Sequence, residues 1–442
     1  MKVLAGILFA LIFGTGLFLF SGSSETMVVH TPEPTAAGGG INVDTATTSA
    51  SAGVSLGTVV SGGRTYEDAE YQRPLPNYPA VIKGVYATGW SAGSAAKLNY
   101  FINLAKETEI NAVVVDIKDY SGYVSYVTGI PEIRASGAEG DIKISQPNLM
   151  IRKFHEAGIY VIGRITVFQD PVLAKAHPEW ALKDKITGKI WTDNKGLAWM
   201  DPASKDVWNY NVAVAKDAIA RGFDEINFDY IRFASDGNME NIVYPSWSGK
   251  TPRSAVISDF FSFLRSELGG AKISADLFGL STINRDDLGI GQVIESAYKY
   301  FDYVCPMVYP SHYASGFLGY ANPAKYPYEV VKYSMEHALA RLKGETAVSA
   351  TSSASSSSTS ATTTPDAPVI PQTSGTEPDY RSKLRPWLQD FNLGAVYDAS
   401  MVRAQIKAVE ETLNSTSSSE YFAGWFLWNP SNNYTKGALN NE

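Results

Sequence analysis

Cysteine is almost missing from this chain. Cys305 is the one thiol in 442 residues, so no disulfide can form within the chain. Its expected place is that of a small buried hydrophobe. Histidine is scarce too: His30, His155, His177, His312 and His337 make up the five. None falls in an HExxH or other paired-ligand spacing, so no metal site and no cofactor are expected. No histidine-partnered cysteine nucleophile is evident, which argues against thiol-based acyl transfer. No Gly-rich phosphate loop follows the first strand, as a dinucleotide-binding sheet would require. Positive charge is in deficit as well. With 37 Lys and Arg against 45 Asp and Glu the net charge is -8. No basic stripe can neutralise a phosphate backbone, so no nucleic-acid partner is expected.

Aromatic residues are in excess, with 25 Tyr and 9 Trp. Clefts that combine aromatic rings with acids suit neutral polyols such as sugars, whose ring faces stack on aromatic side chains. The N-terminus carries an address. Met1-Lys2 is followed by an uncharged apolar run from Val3 to Phe20. That run exceeds the ~7–15 residues of a signal-peptide core and approaches the ~20 that span a bilayer. Residues 1–20 are therefore expected to form a signal anchor, in preference to a signal peptide cleaved near Ser21 or Ser23. Lys2 would stay cytoplasmic. The rest would face the cell exterior, anchored to the membrane or secreted. Residues 21–79 are rich in Ser, Thr, Gly, Ala and Pro and read as a flexible tether, with local pairing conceivable at Thr58-Val59-Val60. A second Ser/Thr/Ala/Pro run over 344–379 reads as a disordered insertion within a domain covering 80–442.

Within that domain, strands and helices alternate. Strand patterns occur at Val81–Tyr86, Asn111–Asp119, Gly158–Ile165, Phe223–Phe233, Lys272–Phe278, Tyr303–Pro310, Lys383–Gln389 and Phe422–Asn429. Helical stretches lie near Ser91–Glu107, Pro147–Ala157, Asp201–Arg221, Pro252–Leu268, Ile290–Tyr300, Pro327–Leu342 and Ser400–Leu413. The second strand is apolar almost to its end, as a parallel strand covered on both faces should be. Eight strands alternating with seven helices predict an α/β fold, a (β/α)8 TIM barrel. A doubly wound open sheet is disfavoured by the polar residues that recur at the strand ends.

Side chains alternate across a strand, so every second residue enters the barrel lumen. This predicts Asp116 and Lys118 from the second strand and Arg164 from the third. Glu225, Asn227 and Asp229 come from the fourth, Ser274 and Asp276 from the fifth, and Met307 and Tyr309 from the sixth. The seventh gives Trp387 and Gln389, the eighth Phe426 and Trp428. Trp425 must then face the helices. Asp229 and Asp276 lie on neighbouring strands at similar height and are the candidate carboxyl pair. A carboxyl beside another carboxylate is harder to ionise, which suits a proton donor. The plainer alternatives are ion pairs: Asp229 with Arg164 or Arg232, and Asp116 with Lys118. Glu225 lies deeper and is expected to be structural. His312 follows a strand end and could touch a ligand.

Five segments together resemble a known family. They are Lys83-Gly84-Val85-Tyr86, Val115-Asp116-Ile117-Lys118-Asp119, Ile226 to Phe233, Pro306-Met307-Val308-Tyr309-Pro310 and Arg385-Pro386-Trp387-Leu388-Gln389. They are similar to the putative glycoside hydrolase domain of bacterial exported proteins, related to α-amylase-like barrels. The resemblance covers nearly all of Ala80 to Asn433 and implies a TIM-barrel glycosidase fold. The amylase-like group has an Asp nucleophile on strand four, matched by Asp229, and a Glu acid on strand five, where this chain has Asp276. Asn227 stands where that group has Arg.

The resulting expectation is a glycosidase that cleaves an extracellular or cell-envelope polysaccharide and acts as a monomer. Asp229 and Asp276 would be catalytic. Asp116, Lys118, Arg164, Asn227, Arg232, Tyr309, His312, Gln389 and Trp428 would bind the saccharide. A non-catalytic glycan-binding barrel, or a lyase or transglycosylase using the same acids, are the alternatives.

Overall fold

The computed structural model describes residues 58–61, 64–345 and 379–441. Eight parallel strands close into a ring. They are β1 (Ile82–Ala87), β2 (Ala112–Lys118), β3 (Tyr160–Thr166), β4 (Glu225–Asp229), β5 (Lys272–Phe278), β6 (Tyr303–Met307), β7 (Lys383–Leu384 and Trp387–Gln389) and β8 (Gly424–Trp428). β6 pairs with both β5 and β7, and β8 pairs with β1, so no edge remains. The expected (β/α)8 barrel is the observed fold, and closure rules out the open sheet. Seven longer helices surround it: α1 (Ala95–Glu107), α2 (Pro147–Glu156), α3 (Lys205–Arg221), α4 (Arg253–Glu267), α5 (Ile294–Tyr300), α6 (Pro327–Leu342) and α7 (Ala399–Leu413). β7 is split because Pro386 has no N–H to give to the ladder.

The two faces of each strand bury different layers. Val85, Val113, Val161, Ile226, Phe228, Trp425 and Leu427 join the core under the helices. Tyr86, Val114, Ile162, Cys305, Trp387, Phe426 and Tyr309 fill the lumen, and Trp428 packs against them. The two tryptophans of β8 thus divide as the alternation requires, and Cys305 is a buried lumen residue. The lumen is packed rather than hollow. A Cβ on Gly84 would lie 2.7 Å from the Phe426 ring, so the missing side chain of one strand makes room for the phenyl of the next.

Helix starts depart from the sequence reading where a side chain found a different task. Asp201 does not open α3. It accepts the amides of Ala203, Ser246 and Trp247 at 2.9, 2.6 and 2.9 Å, tying the loop after β4 down. Ser204 caps α3 instead, and Gly222 ends it in the left-handed region at φ 102°. Ser91 does not open α1 either. Thr88 caps a short helix, Gly89–Ala92, and α1 begins after Ser94.

Residues 68–79, placed by composition in the tether, lie against the N-terminal end of the barrel. Asp68 accepts the amides of Asn148 and Leu149 at 2.8 and 3.0 Å and so caps α2 from a distance. Leu75 donates its amide to Asp224 at 2.6 Å, and the Tyr78 ring lies 5.5 Å from that of Tyr160. Thr58–Ser61 pairs antiparallel with Arg64–Glu67. The expected anchor at 1–20, the tether up to residue 57 and all but the ends of the 344–379 insertion lie outside the described residues. Among the described residues no helix is long and apolar enough to cross a membrane.

Candidate active site

Register brings the acids together at the C-terminal end of the barrel. Asp116 is level with Arg164 across β2 and β3, Arg164 with Asn227 across β3 and β4, and Asn227 with Ser274 across β4 and β5. Arg164 is the centre of the group. Its Nη1 lies 2.5 Å from Asp116 Oδ1, its Nη2 contacts Asp229 Oδ2, and its Nε is 3.6 Å from Asp276 Oδ2. The guanidinium fork presents several donors in one plane, which is why one arginine can face three carboxyl groups. Those carboxylates hold its charge firmly, and its pKa stands well above the ordinary value despite burial.

The three acids differ in their surroundings. Asp116 Oδ2 accepts the Tyr86 hydroxyl at 2.5 Å. Burial raises the Asp116 pKa, and Arg164 opposes that rise. Asp229 Oδ1 accepts the Tyr230 amide at 2.5 Å. Tyr230 sits at φ 53°, an uncommon conformation for a bulky residue, at the point where the chain turns off β4. Asp276 is 1% exposed. Its Oδ1 accepts Asn227 Nδ2 and Trp387 Nε1, both at 2.8 Å. Burial, and next the charge of Asp229, push its pKa from 3.8 up to about 8. Asn227 Oδ1 is buried without a hydrogen-bond partner.

An aromatic wall stands beside these acids. Tyr86 and Trp428 stack at 5.8 Å and 26°. Tyr309 lies 6.1 Å from Trp428 and 5.3 Å from His312, and Phe391 meets Trp428 edge-on at 5.2 Å. Burial lowers the His312 pKa to about 4, keeping that ring neutral near neutral pH.

The fold brings together Asp116, Arg164, Asn227, Asp229, Asp276, Tyr309, His312 and Trp428. Three other candidates are held differently. Lys118 does not enter the lumen, because a bulge between Asp116 and Lys118 breaks the alternation. It pairs with Asp170 at 2.6 Å, both fully buried, and lies over the Tyr210 ring of α3, so the Asp116–Lys118 pair does not form. Arg232 is sandwiched between Trp199 and Phe278, with Nη1 donating to the Phe233 carbonyl at 3.0 Å. Gln389 does face inward, but it accepts the Ser311 amide at 3.2 Å and donates to the Phe391 carbonyl at 2.9 Å. Its amide is spent on bracing two loops. Glu225 is structural as expected, paired at 2.5 Å with buried Arg385. Two residues that touch the acids were not among the candidates, Tyr86 and Trp387. Alternation along Ile82-Gly84-Tyr86 would have placed the first, and the lumen position of Trp387 could have suggested the second. A cleft of about 560 Å3 opens at the opposite end of the barrel, lined by Pro74, Tyr78, Phe223 and Leu268 among others. None of Asp116, Asp229 and Asp276 lines it, and chemistry in this fold sits at the C-terminal face.

A closed (β/α)8 barrel with carboxyl groups gathered at the C-terminal strand ends is the architecture of glycosidase barrels. The chain belongs to the family described as putative glycosyl hydrolase domain, matching it over residues 84–352 and 366–434. Membership of that family makes glycoside hydrolysis the general activity class. Among solved structures the chain is similar to a hypothetical protein from Ruminiclostridium thermocellum ATCC 27405, with 42% identity, 43% of this chain and 96% of that chain covered, and a TM-score of 0.40. It is also similar to the PgaB (BpsB) glycoside hydrolase domain from Bordetella bronchiseptica, at 13% identity over 81% of this chain and 99% of that one, with a TM-score of 0.51. The glycoside hydrolase domain of PelA from Pseudomonas aeruginosa matches at 11% identity, with 80% and 97% covered and a TM-score of 0.39. The PgaB likeness speaks to the fold alone. No curated protein matches the chain.

Proposed function

We propose that this chain is an exported glycosidase acting on an extracellular or cell-envelope polysaccharide, with Asp276 as proton donor and Asp229 as its ionised partner. Export rests on the apolar run Val3–Phe20 behind Lys2. The catalytic assignment rests on one observation: two neighbouring carboxyl groups share Arg164, and burial with the Asp229 charge raises the Asp276 pKa to about 8. Asp276 Oδ1 already accepts two hydrogen bonds, so its proton belongs on Oδ2, the oxygen on the Arg164 side. From there it can pass to the glycosidic oxygen as the bond to the anomeric carbon breaks. Asp229, in contact with Arg164, stabilises the positive charge that develops on the sugar ring and serves as nucleophile or as base for a water. Tyr86, Trp428 and Tyr309 supply ring faces and Asp116 a further acceptor for sugar hydroxyls.

The test is release of reducing ends from a polysaccharide panel. Asp229→Asn should lower the rate by at least about a hundredfold with thermal unfolding unchanged, and full activity in that variant would sink the assignment. A chain that retains glycan but creates no new ends would be a binding barrel. Unsaturated or anhydro ends would mark a lyase or transglycosylase.

A further inference from the structure

Two large aromatic rings stand bare on neighbouring loops of the catalytic face. Trp90, 60% exposed, follows β1, and Tyr120, 49% exposed, follows β2. Their exposure does not come from slack chain. Trp90 lies in the short helix Gly89–Ala92, whose cap Thr88 accepts the Ser91 amide at 3.1 Å, while Asn432 accepts the Thr88 amide at 3.0 Å. Tyr120 sits in a turn closed by Asp119, which accepts the Ser121 amide at 2.9 Å. Lys143 braces both loops at once. Its stem packs on Gly89, its carbonyl oxygen faces Gly93, and its Nζ lies 3.0 Å from Asp119 Oδ2. The two charges of that pair offset each other, and both rings keep apolar surface in water. An exposed aromatic face is suited to stacking on the apolar face of a sugar ring while its polar tip stays in water. Trp90 follows Tyr86 closely on the chain, and Tyr86 stacks on Trp428 in the mouth.

We infer that Trp90 and Tyr120 form an outlying subsite that stacks pyranose rings of a neutral glycan chain whose further units reach Asp229 and Asp276. The substrate is then a polymer held across the mouth rather than a disaccharide. The path toward the acids rests on the glycosidase reading; the stacking itself does not.

Affinity electrophoresis of the full chain tests this, run as wild type and as Asp229→Asn through gels containing a β-glucan, a xylan, a galactomannan or glycol chitin. At least one polymer should retard both proteins. Trp90→Ala should weaken that retardation about tenfold, and Trp90→Ala with Tyr120→Ala should abolish it, with unfolding temperature unchanged. Val396→Ala, which trims a side chain 73% exposed on the loop after β7, should leave it intact. Equal retardation of the double variant, equal loss in Val396→Ala, or no retardation of either parent by any of the four polymers would each overturn the inference. Retardation that depends on Trp90 and Tyr120 in a wild type that releases no reducing ends would uphold the subsite and sink the hydrolase reading instead.

Discussion

Opposing influences act on the Asp276 carboxyl. Burial and next the neighbouring Asp229 charge favour the acid, whereas the Arg164 charge and the hydrogen bonds from Asn227 and Trp387 favour the anion, and the acid wins with a pKa of about 8. The effect on stability follows from the sign. The folded-state pKa lies above the ordinary 3.8, so the folded chain binds more protons than the unfolded one across that window. Asp276 therefore contributes its full stabilisation below about pH 4 and loses it as pH rises through about 8. Asp116 is shifted the same way and adds to the slope, so a difference measurement is needed. Asp276→Asn keeps an acceptor and cannot ionise. Its unfolding temperature relative to wild type should rise from pH 5 and level off above about pH 8, and a pH-independent difference would contradict the assignment. In kinetics, the same proton should give wild-type cleavage a basic limb near pH 8. Sequence reasoning found the two-acid repulsion, because strand order predicts that Asp229 and Asp276 are neighbours. It did not find that burial is the larger cause, since Trp387 reaches the carboxyl from β7, two strands away.

At the level of the element, β8 joins β1 through a contact that admits no side chain. Gly424 has φ 106°, and a Cβ there would fall 1.8 Å from the Ile82 carbonyl oxygen. Backbone cannot retreat from that clash without opening the β8–β1 seam that closes the ring. Gly158, just before β3, also has positive φ at 73°, but a Cβ there meets nothing within 4 Å. Gly158→Ala should therefore cost about 1–2 kcal/mol, the penalty of a left-handed L-residue. Gly424→Ala should cost more than about 3 kcal/mol, read as the shift in urea midpoint. Comparable losses in the two variants would show that conformation alone, not the seam, decides. The contrast also marks what sequence could convey at this scale. Period-2 alternation placed Arg164, Asn227, Asp229 and Asp276 in the lumen and sorted Trp428 from Trp425. It failed at Lys118, because a bulge adds one residue without any compositional trace. It also overrated Gln389, whose amide is consumed by loops that no local pattern links to β7.

Across the whole molecule, chemistry and stability separate to opposite ends of the barrel. The acids and aromatic wall lie at the C-terminal ends of the strands, while residues 68–79 close over part of the N-terminal end beside the cleft there. That cover is specific. Gln146 makes no capping bond of its own at the start of α2, and Asp68 supplies both acceptors there. Asp224 accepts the amides of Leu75 and Val161 and contacts His155 Nε2 at 2.9 Å, fastening the segment to β3 and α2 together. Gln72 donates its amide to the last carbonyl of α3 at 3.0 Å. Composition assigned this stretch to the tether because it is short and poor in apolar clusters. Its hold comes from hydrogen bonds to helix ends, which composition does not register. A chain beginning at Ala80 should accordingly be less stable than one beginning at Glu67 by about 2–4 kcal/mol, with Asp68→Ala alone accounting for about 1 kcal/mol. Both should keep the parent's kcat/KM at temperatures well below their unfolding transitions, since neither change approaches Arg164 or its three acids. A truncated chain that is fully stable would reduce the cover to a surface contact. One that folds but loses activity would mean that the two ends of the barrel are coupled through the packed lumen, from Glu225 and Arg385 up through Trp387 to Asp276.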